Sequence, residues 1–113
     1  MPKMTGLHGL VVGAALTVLG FASVPLHADS AAAEATYKGK CAMCHGPDGK
    51  GETPTGKAMK VKDFGSDDVQ KMSDADLSGV ISAGKGKMPA YKTLTPDQVK
   101  DLVAYVRGLG KKK

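Results

Sequence analysis

The sequence predicts an all-α fold, and three observations support this prediction. No segment shows the alternation of β-branched and polar residues, bounded by turns, that is typical of strands. Several Ser and Thr residues precede short apolar patterns, as N-caps do at the start of helices. The segment from Thr95 to Gly108 has the apolar spacing of an amphipathic helix. The sequence contains neither an internal repeat nor a second domain.

The first predicted helix runs from Ser30 to Lys40. Ser30 is a suitable N-cap, and the alanine-rich residues after it favour a helix because alanine has the highest helix propensity. Residues 46–51 read Gly-Pro-Asp-Gly-Lys-Gly and predict a loop, since every position favours a turn. A short helix is expected from about Gly56 to Lys60.

Two further short helices are predicted in the middle of the chain. Ser66 is expected to cap a helix over Val69 to Met72. Ser73 begins a capping-box pattern, with Asp76 in the place of Glu or Gln, for a helix that ends at Gly84. One face of this helix is apolar, formed by Leu77, Val80 and Ile81.

The last helix has the best-defined sequence signals. Thr95 is its N-cap, Pro96 its first residue and Gln98 the capping-box partner, and Gly108 is expected to end it. Its apolar stripe consists of Val99, Leu102, Val103 and Val106. Before this helix, residues 84–89 predict irregular backbone, because a proline disfavours helical geometry at the residue before it.

The pattern C-x-x-C-H, formed by Cys41, Cys44 and His45, indicates a c-type haem attachment site. Each thiol can add to one vinyl group of the porphyrin, and one helical turn presents both sulfurs. His45 then lies under the iron, where its imidazole can be the proximal ligand. A redox-active dithiol, half of a zinc site and a disulfide are weaker alternatives. The sequence has no βαβ setting and no second Cys/His pair, and the spacing is short for a disulfide.

Residues 1–28 have the pattern of a secretory signal peptide, with Lys3 before an apolar stretch over residues 9–24 and Ala28 at the cleavage position. The alternative is an uncleaved anchor, but the apolar stretch is short beside the ~20 residues of a spanning helix. Residues 29–113 are then one domain in the periplasm, with no stable membrane insertion after cleavage. That domain has few aromatic residues and no tryptophan, so a buried macrocycle would supply core surface that a chain this small lacks.

The formal net charge of +5 is modest, and Lys3 accounts for one of these charges. Nucleic-acid binding is not indicated, because the basic residues are not interleaved with aromatic ones. The lysines are either ordinary solvated side chains or a weakly basic docking surface for an acidic redox partner.

The number of histidines limits which residue can be the second axial ligand of the iron. His8 and His27 are lost with the signal peptide, so His45 is the only histidine of the mature chain. The remaining choices are methionine, lysine, water or an empty position. Met88 is the predicted ligand, because it lies on a glycine-flanked loop far along the chain. Met59 and Met72 lie on predicted helices and are expected to fill the core. Met43 lies between the two cysteines and cannot reach the opposite face of the haem.

The residues Cys41, Cys44 and His45 near one end and Met88-Pro89 near the other make the chain resemble a small class I cytochrome c. The resemblance implies several short helices around one covalently attached haem c, with the N- and C-terminal helices packed together. It matches Ala33, Tyr37 and Tyr105 to the family's residues at the crossing of the first and last helices. It also matches Pro54 to the family's proline, whose preceding backbone carbonyl accepts a hydrogen bond from the proximal histidine. The family's tryptophan near a propionate is absent, which leaves Lys57, Lys60, Lys62 and Tyr91 as propionate candidates.

A His/Met-ligated haem favours the reduced iron and has no vacant position for a substrate. The sequence therefore predicts a monomeric periplasmic electron carrier, not an enzyme, that passes single electrons between transient respiratory or photosynthetic partner proteins. Two alternatives stay open. One is a haem enzyme or gas sensor with an open iron, and the other is a membrane-tethered haem domain of a larger respiratory complex.

Overall fold

The computed structural model describes residues 9, 13–15, 20 and 27–112. Most of the predicted signal peptide, residues 1–28, lies outside the described residues, and its cleavage after Ala28 stays a prediction. No helix in the described part of the chain is both long and apolar enough to cross a membrane.

The described residues form six helices and no strand, which confirms the all-α prediction. The helices are α1 His27–Lys40, α2 Ala42–His45, α3 Pro54–Met59, α4 Asp67–Gln70, α5 Asp74–Ala83 and α6 Pro96–Lys111. An isolated antiparallel bridge joins Lys85 to Met88 in the segment between α5 and α6. This segment is irregular, as the sequence predicts.

The first and last helices pack against each other, as the resemblance implies. Tyr37 of α1 is fully buried, and its ring lies 5.2 Å from the ring of Tyr105 on α6. Ala33 is buried one turn earlier on α1, where a small side chain lets the two helices approach. The rest of the core is formed by Phe64, Val69, Leu77, Val99, Leu102, Val103 and Leu109.

Helices α5 and α6 begin with complete capping boxes, which confirms both predictions. Ser73 accepts from the Asp76 N–H, and the Asp76 carboxylate accepts from the Ser73 N–H. Thr95 and Gln98 make the same reciprocal pair at α6, with proline as the first helical residue. Arg107 joins the two helices, because its guanidinium donates to the Asp74 carboxylate and to the Met72 carbonyl.

Several predicted helix boundaries are wrong. Helix α1 begins at His27, so Ser30 lies inside the helix, because the high propensity of Ala28 and the alanines that follow extends the helix backwards. Helix α4 covers Asp67–Gln70, since two aspartates favour the N-terminal turn, and the Ser66 side chain makes no capping bond. Helix α3 begins at Pro54, where the Thr53 hydroxyl accepts from the Gly56 N–H.

The prediction that Gly108 ends the last helix is also wrong, because α6 continues to Lys111. Leu109 is buried in the core, and Gly110 packs closely on the chain beside it. A Cβ atom at Gly110 would lie 2.8 Å from the Phe64 carbonyl oxygen. The burial of this last turn therefore outweighs the local tendency of glycine to end a helix.

Candidate cofactor site

A cavity of about 600 Å³ opens between α1, α5 and α6 and the loops that connect the short helices. This volume lies within the range of ~300–1,000 Å³ that is typical of ligand sites. All four predicted site residues line it, namely Cys41, Cys44, His45 and Met88. Most of the remaining lining is apolar, including Val69, Leu77, Val80, Ile81, Leu102, Val103 and Val106.

The attachment segment, residues 41–45, continues directly from α1. The Cys41 N–H donates to the Tyr37 carbonyl, and the His45 N–H donates to the Cys41 carbonyl at 3.0 Å. One turn of helix thus carries both thiols, which are free and half-buried. Burial raises the pKa of the Cys41 thiol, while Lys40 lowers it by a smaller amount.

A network of hydrogen bonds holds the carbonyls around the attachment segment. The Thr53 hydroxyl lies 2.8 Å from the Met43 carbonyl oxygen and 3.0 Å from that of Cys44. The hydroxyl of buried Tyr37 donates to the Gly46 carbonyl at 2.6 Å. Gly56 has no room for a side chain, because a Cβ there would overlap the Cys44 carbonyl oxygen. The segment is therefore fixed from both of its ends and from α3.

The imidazole of His45 stacks on the ring of Phe64, with a centroid distance of 4.8 Å and an interplanar angle of 27°. Its Nδ1 atom is buried and has no hydrogen-bond partner among the described residues. The expected bond from Nδ1 to the carbonyl before Pro54 is therefore absent, and the Thr53 carbonyl instead accepts from the Lys57 N–H. Burial lowers the pKa of His45, which favours the neutral imidazole that binds a metal.

Met88 lies at the end of a tight turn in the ligand loop, by which we mean residues 84–91. Its N–H and carbonyl pair with the carbonyl and N–H of Lys85 at 2.9 and 3.1 Å. Gly86, with φ of 56°, follows Lys85 in this two-residue turn, where a positive φ is usual. Gly84 also has a positive φ, and a Cβ there would lie 2.7 Å from the Met88 carbonyl oxygen. The Met88 side chain is half-buried and borders the cavity.

Tyr91 closes the ligand loop at its other end. Its N–H donates to the Ile81 carbonyl at 3.0 Å, and its hydroxyl donates to the Lys40 carbonyl at 2.9 Å. Desolvation raises the pKa of the Tyr91 phenol above its ordinary value, which itself already keeps the hydroxyl a donor at neutral pH. Sequence reasoning treats Tyr91 only as a propionate candidate, because a pairing across 51 positions leaves no local signal.

Of the two methionines that are expected to fill the core, only one does so. Met72 is half-buried and packs against the core, as expected. Met59 is 43% exposed although it borders the cavity, so the prediction that it fills the core is wrong. Met59 is the last residue of α3 and borders the cavity instead of packing between helices. Met43, between the two cysteines, is 77% exposed.

The charged residues along the cavity are mostly lysines. In the described part of the chain five lysines border it, namely Lys40, Lys60, Lys62, Lys85 and Lys87, against the single carboxylate of Asp68. Lys62 pairs with Asp68 at 2.9 Å, and both side chains are largely exposed. Of the propionate candidates, Lys60, Lys62 and Tyr91 border the cavity, whereas Lys57 does not.

The residues of this cavity fit a haem. Two free thiols on one helical turn face the same space as a buried imidazole whose Nδ1 has no partner within the described residues. The walls are predominantly apolar, which suits a flat macrocycle, and the cationic residues at the edge suit its carboxylates. A methionine on a separate loop borders this space, so both a nitrogen and a sulfur ligand are available.

Comparison with known proteins gives a consistent picture. Residues 28–106 match the family described as "Cytochrome C oxidase, cbb3-type, subunit III". The chain is 33% identical over 100 residues to cytochrome c6 of Nostoc sp. (strain PCC 7120 / SAG 25.82 / UTEX 2576), covering 88% of this chain and 87% of that protein. It is 34% identical over 98 residues to cytochrome c6 of Gloeothece citriformis (strain PCC 7424), covering 81% and 84%.

A solved structure is also similar. The KustC0563 c-type cytochrome superposes with a TM-score of 0.61 at 34% sequence identity. The match covers 68% of this chain and 95% of that structure. The similarity therefore includes nearly the whole of a solved domain as well as most of the sequence described above.

Proposed function

We propose a function for this chain, which belongs to the small monohaem class I cytochromes c and carries one covalently bound haem c. It is a haem c electron-transfer protein. We propose that it carries single electrons between redox partners in the periplasm, as a monomer and without an enzymatic reaction of its own.

The residue assignment rests on one observation, the meeting of His45 and Met88 at the same cavity. In the proposal Cys41 and Cys44 form the two thioethers, His45 is the proximal ligand and Met88 the distal ligand. The haem supplies one-electron chemistry at its iron. A thioether sulfur opposite an imidazole favours the reduced state and raises the reduction potential. The apolar walls exclude water, which acts in the same direction.

The optical spectrum of the mature haem protein tests this assignment. The ferric wild type should show the weak far-red band of sulfur-to-iron charge transfer. The Met88→Ala variant should lose the band. Met59→Leu is the matched control, because Met59 is a second methionine that borders the same cavity. It should keep the band, since Met59 is not the proposed ligand. A wild type without the band, with a high-spin iron that binds cyanide or carbon monoxide at once, would instead support an open-iron enzyme or sensor.

The partner proteins are proposed to present acidic surfaces. The lysines at the cavity edge outnumber the one carboxylate there, and opposite charge accelerates the encounter of transient partners. Lys87→Glu should slow electron transfer to an acidic acceptor at low ionic strength by about 10-fold or less. Lys100→Glu makes the same charge change on α6 away from the cavity and should have a smaller effect. Equal slowing by both variants would mean that net charge alone matters.

A membrane-tethered subunit is the second candidate function, and the description of the matching family favours it. N-terminal sequencing of the protein from fractionated cells distinguishes the two. A periplasmic chain that begins near Asp29 would support the free carrier. A membrane-bound chain that retains residues 1–28 would support the tethered subunit.

A further inference from the structure

The ligand loop is joined by the Tyr91 hydroxyl to the end of α1, directly before the attachment segment. Among the described residues, its bond to the Lys40 carbonyl is the one hydrogen bond that connects residues 84–91 to residues 37–56. Lys40 ends α1 and directly precedes Cys41. The two ligand-bearing parts of the cavity therefore meet at this phenol.

The Lys40 carbonyl is available because α1 ends there. In a continued helix it would accept from the N–H of Cys44, but that N–H donates to the Cys41 carbonyl instead. The last carbonyls of a helix need partners from elsewhere. The Tyr91 hydroxyl supplies one, so this contact satisfies an acceptor as well as bridging two segments.

The other hydrogen bonds of the ligand loop fix its shape without fixing its distance from the attachment segment. The Lys85–Met88 pair lies within the loop, and the Tyr91 N–H bond to Ile81 connects the loop only to α5. The loop can thus open relative to Cys41, and its turn loses the support of the attachment side when it does. Removal of the phenol oxygen should release that movement.

We propose that Tyr91 is a positioning residue that holds Met88 over the cavity and so keeps external ligands away from the iron. This inference rests on the proposed ligation by His45 and Met88. Among the described residues the phenol hydroxyl is hydrogen-bonded to the Lys40 carbonyl and to neither ligand atom, so it acts through the loop. A net hydrogen bond of typical strength corresponds to about a fivefold change in the opening equilibrium.

The experiment compares Tyr91→Phe with Tyr37→Phe in the haem-loaded protein. Both variants remove one hydroxyl that donates to a carbonyl next to the attachment segment, at Lys40 and at Gly46. Imidazole is titrated into the ferric protein, and loss of the far-red band is followed. We expect an affinity for imidazole about fivefold higher than wild type in Tyr91→Phe and unchanged in Tyr37→Phe.

Amide hydrogen exchange separates this inference from the ligand assignment. The Met88 N–H, bonded to Lys85, should exchange about fivefold faster in Tyr91→Phe. If the wild type shows the far-red band but neither imidazole affinity nor exchange changes, the positioning role is overturned and the electron carrier stands. If the wild type lacks the band, the ligand assignment fails and the positioning of Met88 fails with it. An equal rise in imidazole affinity in both variants also overturns the inference.

Discussion

The two sides of the cavity are held in place by different means. On the attachment side, residues 41–56 are crossed by hydrogen bonds from α1 and from Thr53, and four of the glycines there are buried. On the opposite side, the ligand loop has no buried residue, and among the described residues one exposed hydrogen bond joins it to the end of α1. The attachment side packs against the core through Cys41 and Ala42, whereas the ligand loop is hydrogen-bonded to α5.

This difference corresponds to the two kinds of bond that the proposal assigns. Thioether attachment at Cys41 and Cys44 is permanent, so its backbone can be rigid. A methionine sulfur binds iron reversibly, so the geometry at Met88 depends on how the loop is held. Substitutions on the attachment side should therefore mainly lower stability, and those in the ligand loop should mainly weaken ligation.

The largest loss of stability is expected for Gly56→Ala. The new Cβ would overlap the Cys44 carbonyl oxygen and lie 2.5 Å from that of Gly51, and neither backbone can yield without breaking the network. We expect a decrease of about 3 kcal/mol in the free energy of unfolding, or a failure to mature. Urea unfolding of the haem protein measures it.

Gly79→Ala is the matched control, because Gly79 lies inside α5 with no atom within 4 Å of its added Cβ. This variant should gain roughly 0.5–1 kcal/mol, since alanine favours the helix. Stability losses of equal size in both variants would contradict the close packing of α3 on the attachment segment.

A smaller loss is expected for Tyr37→Phe. The hydroxyl that it removes is buried, but the Gly46 carbonyl still accepts from the Gly49 N–H. We expect a decrease of about 1–1.5 kcal/mol in the free energy of unfolding, with the far-red band retained. Thermal unfolding followed at the Soret band gives the first quantity, and the ferric spectrum gives the second. Loss of the band would mean that the two sides of the cavity are coupled more tightly than their hydrogen bonds indicate.

In the ligand loop, Gly84→Ala should weaken ligation more than stability. Its φ of 76° and the approach to the Met88 carbonyl oxygen both oppose a Cβ, so the turn must change shape. We expect a cost of about 1–2 kcal/mol and a reduced far-red band. Gly86→Ala shares the positive φ but meets no neighbouring atom, so it should cost about 1 kcal/mol and keep the band. Far-red bands of equal intensity in the two variants would show that the contact between Gly84 and the Met88 carbonyl does not determine the position of Met88.

Sequence reasoning located the parts of this molecule that have local causes. The spacing of Cys41, Cys44 and His45 and the two capping boxes depend on residues within one or two turns, and the structure has them as predicted. The position of Met88 on a loop follows from Pro89 in the same way. These features need no knowledge of what packs against them.

Some errors are local and only shift the boundaries of α1, α3 and α4. The others concern contacts between distant segments. Gly108 is a helix-ending residue by local rules, but burial of Leu109 and the fit of Gly110 against Phe64 extend α6. The stacking of Phe64 on His45 and the bond from Tyr91 to Lys40 pair residues that no short pattern connects. Tertiary packing decides each of them.

The smallest effect on stability is expected at the exposed rim of the cavity, where Lys62 pairs with Asp68. Lys62 holds the pKa of Asp68 below its ordinary value through a hydrogen bond and its charge, but both side chains are largely exposed. Because the pKa is lower in the folded state, the contribution is present above the ordinary value and is lost as the pH falls through the lowered one. Lys62→Gln should therefore unfold at nearly the wild-type temperature at pH 7, since water screens such pairs.

Any difference between Lys62→Gln and wild type should decrease as Asp68 becomes protonated, and it should shrink in high salt. Calorimetric scans over a series of pH values measure it. A difference that stayed constant through the titration of Asp68 would show that Lys62 acts by packing along the cavity wall. A difference that follows the titration of Asp68 would show that Lys62 acts through its charge on that carboxylate, with the small contribution expected of an exposed pair.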